Sequence, residues 1–286
     1  MPGPYSDLDR PPLSQTGLRR ALIRPGSPWS SIDVVAETGS TNADLAAAAT
    51  AGAAHGTVLV AESQIAGAGR LDRVWIAPPR AGLTFSVLLR PQLPPARWGW
   101  LPLLAGLAVA DVLTEVGELP ARLKWPNDVL LGPARRKAAG ILSRADGDAL
   151  IIGIGLNVST RVDELPDAAT SLAVEGAACE DRDTLLRAIL RSIGREYYRL
   201  LDADGDADAA GLRAGYTARC DTVGSAVRVS LPGGSDLAGT ATGVDADGRL
   251  LVDADDGEHA VAAGDVTHVR PVTGLSLSCA PRRPPC

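Results

Sequence analysis

From Val223 onward the chain breaks into five short alternating runs, AVRVSL, LAGTATGV, GRLLVD, EHAVAA and DVTHVR, separated by Pro-Gly-Gly, Asp-Gly and Asp-Asp-Gly turns. An amphipathic helix repeats its apolar residues every three or four positions over ten or more residues. Runs this short with a period of two fit only strands joined by tight turns. Five of them in about fifty residues predict a small β-barrel. The residues before them follow a different pattern, so the chain divides. The expected units are a lead-in over 1–30, a larger domain over 31–219, the small β unit over 220–272, and a disordered tail over 273–286 that ends APRRPPC.

In the larger unit, strand-like and helix-like runs alternate unevenly. IDVVAE is followed by ADLAAAAT behind the polar Ser40 and Thr41, then by TVLVAE. Leu83 to Leu89 reads as a strand and Trp100 to Val116 as a buried helix. The short runs before Lys124, after Asp128, at Ala138 to Ser143 and at Leu150 to Val158 read as further strands. Leu185, Leu186, Ile189, Leu190, Ile193 and Tyr197 share one helical face, and Ala207 to Tyr216 predicts another helix. The fold class is α+β: a mixed β-sheet with flanking helices. In the lead-in, GLRRALIR from Gly17 to Arg24 predicts one short helix.

Composition excludes several functions. The net charge of −6 supplies no field for a phosphate backbone, so nucleic acid is not an expected partner. The segment MPGPYSDLDRPPL lacks the pattern of a signal peptide, and the apolar stretch from Trp98 to Leu113 is interrupted by Pro102, Gly106 and Asp111. A cytoplasmic protein with no membrane span is expected. Cys179, Cys220, Cys279 and Cys286 stand far apart, and His55, His259 and His268 show no ligand spacing, so neither a zinc site nor a disulfide framework is expected.

Five constellations carry chemistry. Ser40-Thr41-Asn42 stands where a strand gives way to a helix: it reads either as an N-cap or as a rigid polar pocket for a small neutral group. Gln64-Ile65-Ala66-Gly67-Ala68-Gly69-Arg70 reads either as a surface turn or as a flexible loop whose cation covers a phosphate or carboxylate. It lacks the third glycine of a dinucleotide fingerprint and the Lys-Ser/Thr of a P-loop. Lys124-Trp125-Pro126-Asn127-Asp128 packs two charges, an amide and an indole around a proline that stops a strand, which aims Asn127 and Asp128 together; a salt-bridged turn is the plain alternative. Arg135-Arg136-Lys137 leads into AAGIL, where a lysine at the entry of a buried strand can project into a site, whereas its neighbours suit a solvated cluster. Gly153-Ile154-Gly155-Leu156-Asn157-Val158 is an apolar strand whose glycines either relieve core packing or admit a ligand, and in which Asn157 must find partners.

Taken in order and at these separations, GSTN, QxAGxGR, KWPND, KxAGIL and GIGLNV closely resemble the biotin protein ligase family. The specific motifs cover about residues 32 to 160, and a looser likeness extends to about 270. The resemblance implies a class II synthetase-like catalytic domain and a C-terminal SH3-like barrel. It implies ATP and biotin as substrates with Mg²⁺, and the biotin carboxyl carrier domain of a carboxylase as partner. Ser40, Thr41, Asn42, Gln64, Gly67, Ala68, Gly69, Arg70 and Lys137 would then hold biotin. Arg70, Trp75, Lys124, Asn127 and Asn157 would face ATP or the adenylate. Lys137, Arg70 and Asp128 would do the chemistry, with Asp128 also a candidate metal ligand. The sequence leaves open whether the chain is a monomer or a weak homodimer.

These residue types suit that chemistry. A carboxylate becomes a good electrophile as an acyl-phosphate anhydride, and forming one gathers negative oxygens that Lys137, Arg70 and Mg²⁺ would neutralise. The attacking lysine must lose a proton, which Asp128 would accept or orient. Two positions depart from the family loop: Ala68 where arginine is usual and Asp72 where glycine is usual. They motivate a rival reading as a non-catalytic binder, which the retained Lys137 and Asp128 oppose. A lipoate ligase is the same-chemistry rival, opposed by GSTN and KWPND. The repressor-type members carry an N-terminal winged helix of roughly sixty residues, and no such pattern occupies the thirty or so residues here. A ligase without a regulatory DNA-binding role is expected.

Overall fold

The computed structural model describes residues 10–70, 73–231, 234–262 and 264–268. The expected tail over 273–286 and Asp72 lie outside them.

A seven-stranded sheet forms the larger unit. Its strands are β1 (Ser31–Val35), β2 (Thr57–Ala61), β3 (Gly82–Leu89), β4 (Arg122–Lys124), β5 (Asp128–Leu131), β6 (Arg136–Asp146) and β7 (Ala149–Asn157). They lie in the order β1-β2-β3-β7-β6-β5-β4, with only the β1–β2 pair parallel. β3 and β7 are central, and both are apolar on nearly every residue because both faces are covered.

Helix α2 (Thr41–Thr50) covers one face, closing a small cluster of Leu45, Ala46 and Ala49 against Leu88 and Ile151. On the other face lie α3 (Trp100–Glu115) and α5 (Arg182–Asp202). The apolar character of α3 is that of a core helix, buried from Trp100 through Leu113 except at Pro102 and Asp111. Pro102 falls in its first turn, where a missing N–H leaves no bond unmade. Helix α1 (Gln15–Leu22), capped by Ser14, buries Leu18 and Leu22 against α5 and β1, so no break in packing marks residue 30. The remaining helices are α4 (Leu172–Glu175) and α6 (Leu212–Arg219). The helix expected from Ala207 therefore starts five residues late: Gly211 takes φ 71°, a left-handed conformation that ends the preceding turns and starts α6 afresh.

The C-terminal runs form β8 (Ala226–Ser230), β9 (Asp236–Val244), β10 (Leu250–Ala254), β11 (Gly257–Val261) and β12 (Asp265–His268). Their order is β11-β10-β9-β8-β12, antiparallel throughout. Among the described residues no strand pairing closes β11 on β12. This small sheet shares one apolar core with the larger unit. Two indoles join them: Trp100 donates to the Ala246 carbonyl at 2.9 Å and Trp125 to the Gly248 carbonyl at 3.1 Å.

Candidate active site

One cavity of about 500 Å³ opens where α2, the 64–76 loop, β6, β7, the 163–169 segment and the start of β12 meet. All five constellations contribute polar residues to its walls, and the small sheet adds Asp265.

At the closed end, Ser40 is an N-cap: its backbone is extended and its Oγ accepts from Ala43 N–H at 3.5 Å. The plain reading of GSTN therefore holds, and it is also what aims Thr41 and Asn42 into the cavity from the first turn of α2. Gln64 Oε1 accepts from Thr41 N–H at 3.0 Å, and Asn42 Nδ2 donates to the Leu142 carbonyl at 3.0 Å. Gly153 makes the arrangement feasible: a Cβ there would lie 2.3 Å from Asn42 Oδ1. Gly155 does the same for Trp75, whose indole would be 2.4 Å from an added Cβ. The glycines of GIGLNV thus leave room for two side chains, not for core packing. The Trp75 Nε1–H is buried and has no partner.

In the same cavity, Lys137 Nζ meets Asp128 Oδ1 at 2.6 Å and stands 5.9 Å from the centre of the Trp75 ring. The Lys137 backbone is fixed on both sides, donating to the Ala168 carbonyl at 3.0 Å and accepting from Thr170 N–H at 2.9 Å. Arg136 is exposed and Arg135 pairs with Asp221, so of the three basic residues only Lys137 lines the cavity. In the KWPND turn, where Trp125–Pro126 is cis, Asn127 lines the cavity and donates to the Ile141 carbonyl at 3.2 Å. Trp125 does not; it is buried against the small sheet. Lys124 also stands away from the cavity lining, and its charge, after burial, is a cause of the lowered pKa of His268. Asn157, expected to need partners, donates to the Thr170 carbonyl at 2.9 Å while still lining the cavity.

At the open end, Ala68, Gly69 and Arg70 line the cavity, whereas Gly67 is packed beneath it, between the Trp75 carbonyl and Gln64 Nε2. Arg70 donates to the Gly264 carbonyl at 3.1 Å, and Arg73 pairs with Asp265. Both arginines thereby tie the loop to the beginning of β12. Burial lowers the Arg70 pKa, and the charges of Asp265 and Asp128 oppose that shift.

Sequence reasoning did not single out Ser86, Arg73, Asp163, Glu164 or Asp265. Of these, Ser86 alone had a local signal, as one of two polar residues, with Thr84, inside the apolar run LTFSVLL. The others come together only through the tertiary fold.

The profile of the Biotin/lipoate A/B protein ligase family matches residues 37–158, and that of the Biotin protein ligase C terminal domain matches 222–269. A biotin–[acetyl-CoA-carboxylase] ligase of Mycobacterium tuberculosis is 44% identical over 269 residues, 92% of this chain and 98% of that protein. The chain belongs to the biotin protein ligase family. The bifunctional ligase/repressor BirA of Bacillus subtilis is 32% identical over 82% of this chain and 72% of its own length. Among solved structures, the biotin protein ligase from Aquifex aeolicus in complex with biotin and ATP superimposes with a TM-score of 0.69 at 28% identity, covering 85% of this chain and all of that one. Family membership accounts for why motifs spread over about 120 residues of sequence converge on one cavity.

Proposed function

We propose that the chain condenses biotin with ATP to biotinyl-5'-AMP, releasing pyrophosphate, and then transfers the biotinyl group to a lysine of the biotin carboxyl carrier domain of a carboxylase in the cytoplasm. The observation that carries this reading is the Lys137–Asp128 pair at 2.6 Å, in one cavity with the polar closed end and the arginine-bearing loop. An acid ligand with its ring in the closed end would place its carboxylate at this pair.

In the first step a biotin carboxylate oxygen attacks the α-phosphorus, and pyrophosphate leaves. Lys137, held by its backbone on both sides, offers a fixed ammonium to the oxygens that carry the developing charge. Arg70 lies close enough to serve the phosphate side once it exchanges the Gly264 carbonyl for an anionic oxygen, a stronger acceptor. In the second step the carrier lysine attacks the anhydride carbonyl, and AMP leaves with the bonding pair. Asp128 accepts or orients the proton of that amine, because Lys137 is drawn toward the phosphate oxygens. The loop over Ala68 to Arg70 excludes water from the anhydride.

The described residues hold no group of three or more acidic, histidine or cysteine side chains that would form a resident metal site. The cavity instead fits Mg²⁺ that arrives on ATP phosphates, with Asp128 as the one protein carboxylate beside Lys137. Mg²⁺ usually keeps several waters and takes only one or two carboxylates. When bound it would neutralise phosphate charge.

The test is intact mass spectrometry of a carrier domain incubated with the protein, Mg²⁺ and ATP, with biotin or lipoate supplied in parallel. One biotinyl addition, absent with Lys137→Ala, is expected. Addition of lipoyl alone would overturn the substrate, and no addition from either acid despite biotin binding would make the protein a binder. Arg70→Gly is expected to release adenylate and broaden labelling in a mixed lysate.

A further inference from the structure

Ser86 lies on β3 opposite Gly153, completely buried behind the closed end of the cavity and not part of its lining. Its Oγ is 2.7 Å from Thr41 Oγ1 and 2.7 Å from Asn42 Oδ1. A serine hydroxyl carries one proton, so only one of these contacts can use it.

The neighbours settle which. The Leu142 carbonyl accepts only, so the end of the Asn42 amide that faces it at 3.0 Å must be Nδ2. Asn42 Oδ1 is therefore the end turned to Ser86, and because it also only accepts, the Ser86 proton goes to it. The contact with Thr41 must then run the other way, with the Thr41 hydroxyl donating to Ser86 Oγ. Gln64 Oε1, 3.3 Å from that hydroxyl, receives instead the Thr41 backbone N–H at 3.0 Å. Every proton in the network is now assigned. What remains for the cavity is a pair of lone pairs on Thr41 Oγ1 and the unused amide N–H groups of Asn42 and Gln64.

We infer that Ser86 is a positioning residue that sets the hydrogen-bond polarity of the closed end, so that it receives a ring donating N–H to Thr41 and accepting from the two amides through a carbonyl. A cyclic urea has that pattern. This deepens the proposed biotin reading and rests on it. Without Ser86, the Thr41 hydroxyl is free to turn its proton toward the ligand N–H, and Asn42 Oδ1 is left buried with no donor. Ser86 is buried and does not line the cavity, so its influence passes through Thr41 and Asn42.

The experiment is calorimetric titration of the full chain with biotin, for the wild type, Ser86→Ala, Ser86→Cys, Thr41→Val and the Ser86→Ala/Thr41→Val double variant. Steady-state KM values for biotin and ATP accompany it. Ser86→Ala is expected to weaken biotin about tenfold, because the freed Thr41 hydroxyl can turn its proton against the ligand N–H, and to leave KM for ATP within twofold. Ser86→Cys, with a weaker donor, is expected to fall between. In the Thr41→Val background, where there is no hydroxyl to misdirect, Ser86→Ala is expected to weaken biotin by less than threefold. A merely structural serine would give the same loss in both backgrounds and would raise both KM values, and that result overturns the inference. So does unchanged biotin affinity in Ser86→Ala while the wild type binds. If Ser86→Ala does not fold, Ser86→Cys alone carries the comparison, with the same outcomes. A wild type that binds no biotin would sink the functional reading itself.

Discussion

The two ends of the cavity are built by different means. At the closed end, Thr41, Asn42, Gln64 and Ser86 sit on or beside regular elements, and a continuous set of hydrogen bonds joins them behind Gly153. At the open end, the loop through Arg70 and Arg73 exposes Val74 and Ile76 and is tied to the small sheet by one carbonyl and one ion pair. A neutral ring gains from a rigid, complementary wall, because nothing about it changes during the reaction. A phosphate that arrives, reacts and leaves needs contacts that can exchange.

The largest loss is expected where the two ends meet. Lys137→Ala is expected to lower kcat/KM for carrier biotinylation by about 10²–10³, as loss of one preorganised charge stabiliser does, with a much smaller change in biotin affinity. Single-turnover quench measurements separate the two. An equal loss in binding and turnover would place Lys137 with the closed end.

The next effect separates the ends directly. Gly153→Ala puts a methyl group 2.3 Å from Asn42 Oδ1 and should weaken biotin by about tenfold or more, while Gly155→Ala displaces Trp75 and should act chiefly on ATP. Titration of each variant with each ligand makes the comparison. A swapped pattern would reverse the assignment of the two ends.

A smaller effect is expected for the tie to β12. The Arg73 side chain is 63% exposed and that of Asp265 34%, so the pair is screened by solvent. Arg73→Ala or Asp265→Asn is expected to speed adenylate release about two- to fivefold and to leave biotin affinity untouched, and added salt should mimic both variants. No change in release rate would show that the tie does not govern the loop.

The smallest effect lies outside the cavity. His55 Nδ1 accepts from Arg90 N–H at 2.9 Å, and burial, then the Arg90 charge, lower its pKa. The unfolded chain therefore takes up this proton before the folded one does. Stability from His55 is complete above the ordinary value of about 6.5 and is lost as pH falls below it toward the lowered folded value. His268, lowered first by burial and then by Lys124, acts with the same sign. The melting temperature is expected to fall by a few degrees from pH 7.5 to 5.5, and His55→Gln should flatten the slope. A flat wild-type profile would contradict it.

Much of the site was legible because its residues stand at junctions of regular elements. Ser40 caps a helix, Lys137 enters a strand, and Gly153 and Gly155 interrupt an apolar run, and each leaves a local mark in sequence. Trp125 and Lys124 show the limit of that logic. They share a five-residue motif with Asn127 and Asp128, yet Trp125 serves the junction with the small sheet and Lys124 stands near His268. Adjacent positions in a turn point to different places, and no spacing rule says which place is the site.

The sequence by itself determined the α+β class, the strands and their turns, and the residue types gathered for activation of a carboxylate, because periodicity, capping and turn chemistry act over a few residues. Only the tertiary structure decided that Asp265 reaches the glycine loop from the far end of the chain, that Trp75 lies over Gly155, and that a buried serine on β3 orders the protons behind Thr41 and Asn42. Those contacts join residues separated by 44 to 192 positions. Hydrogen-bond complementarity over such separations exists only after the sheet has set its register.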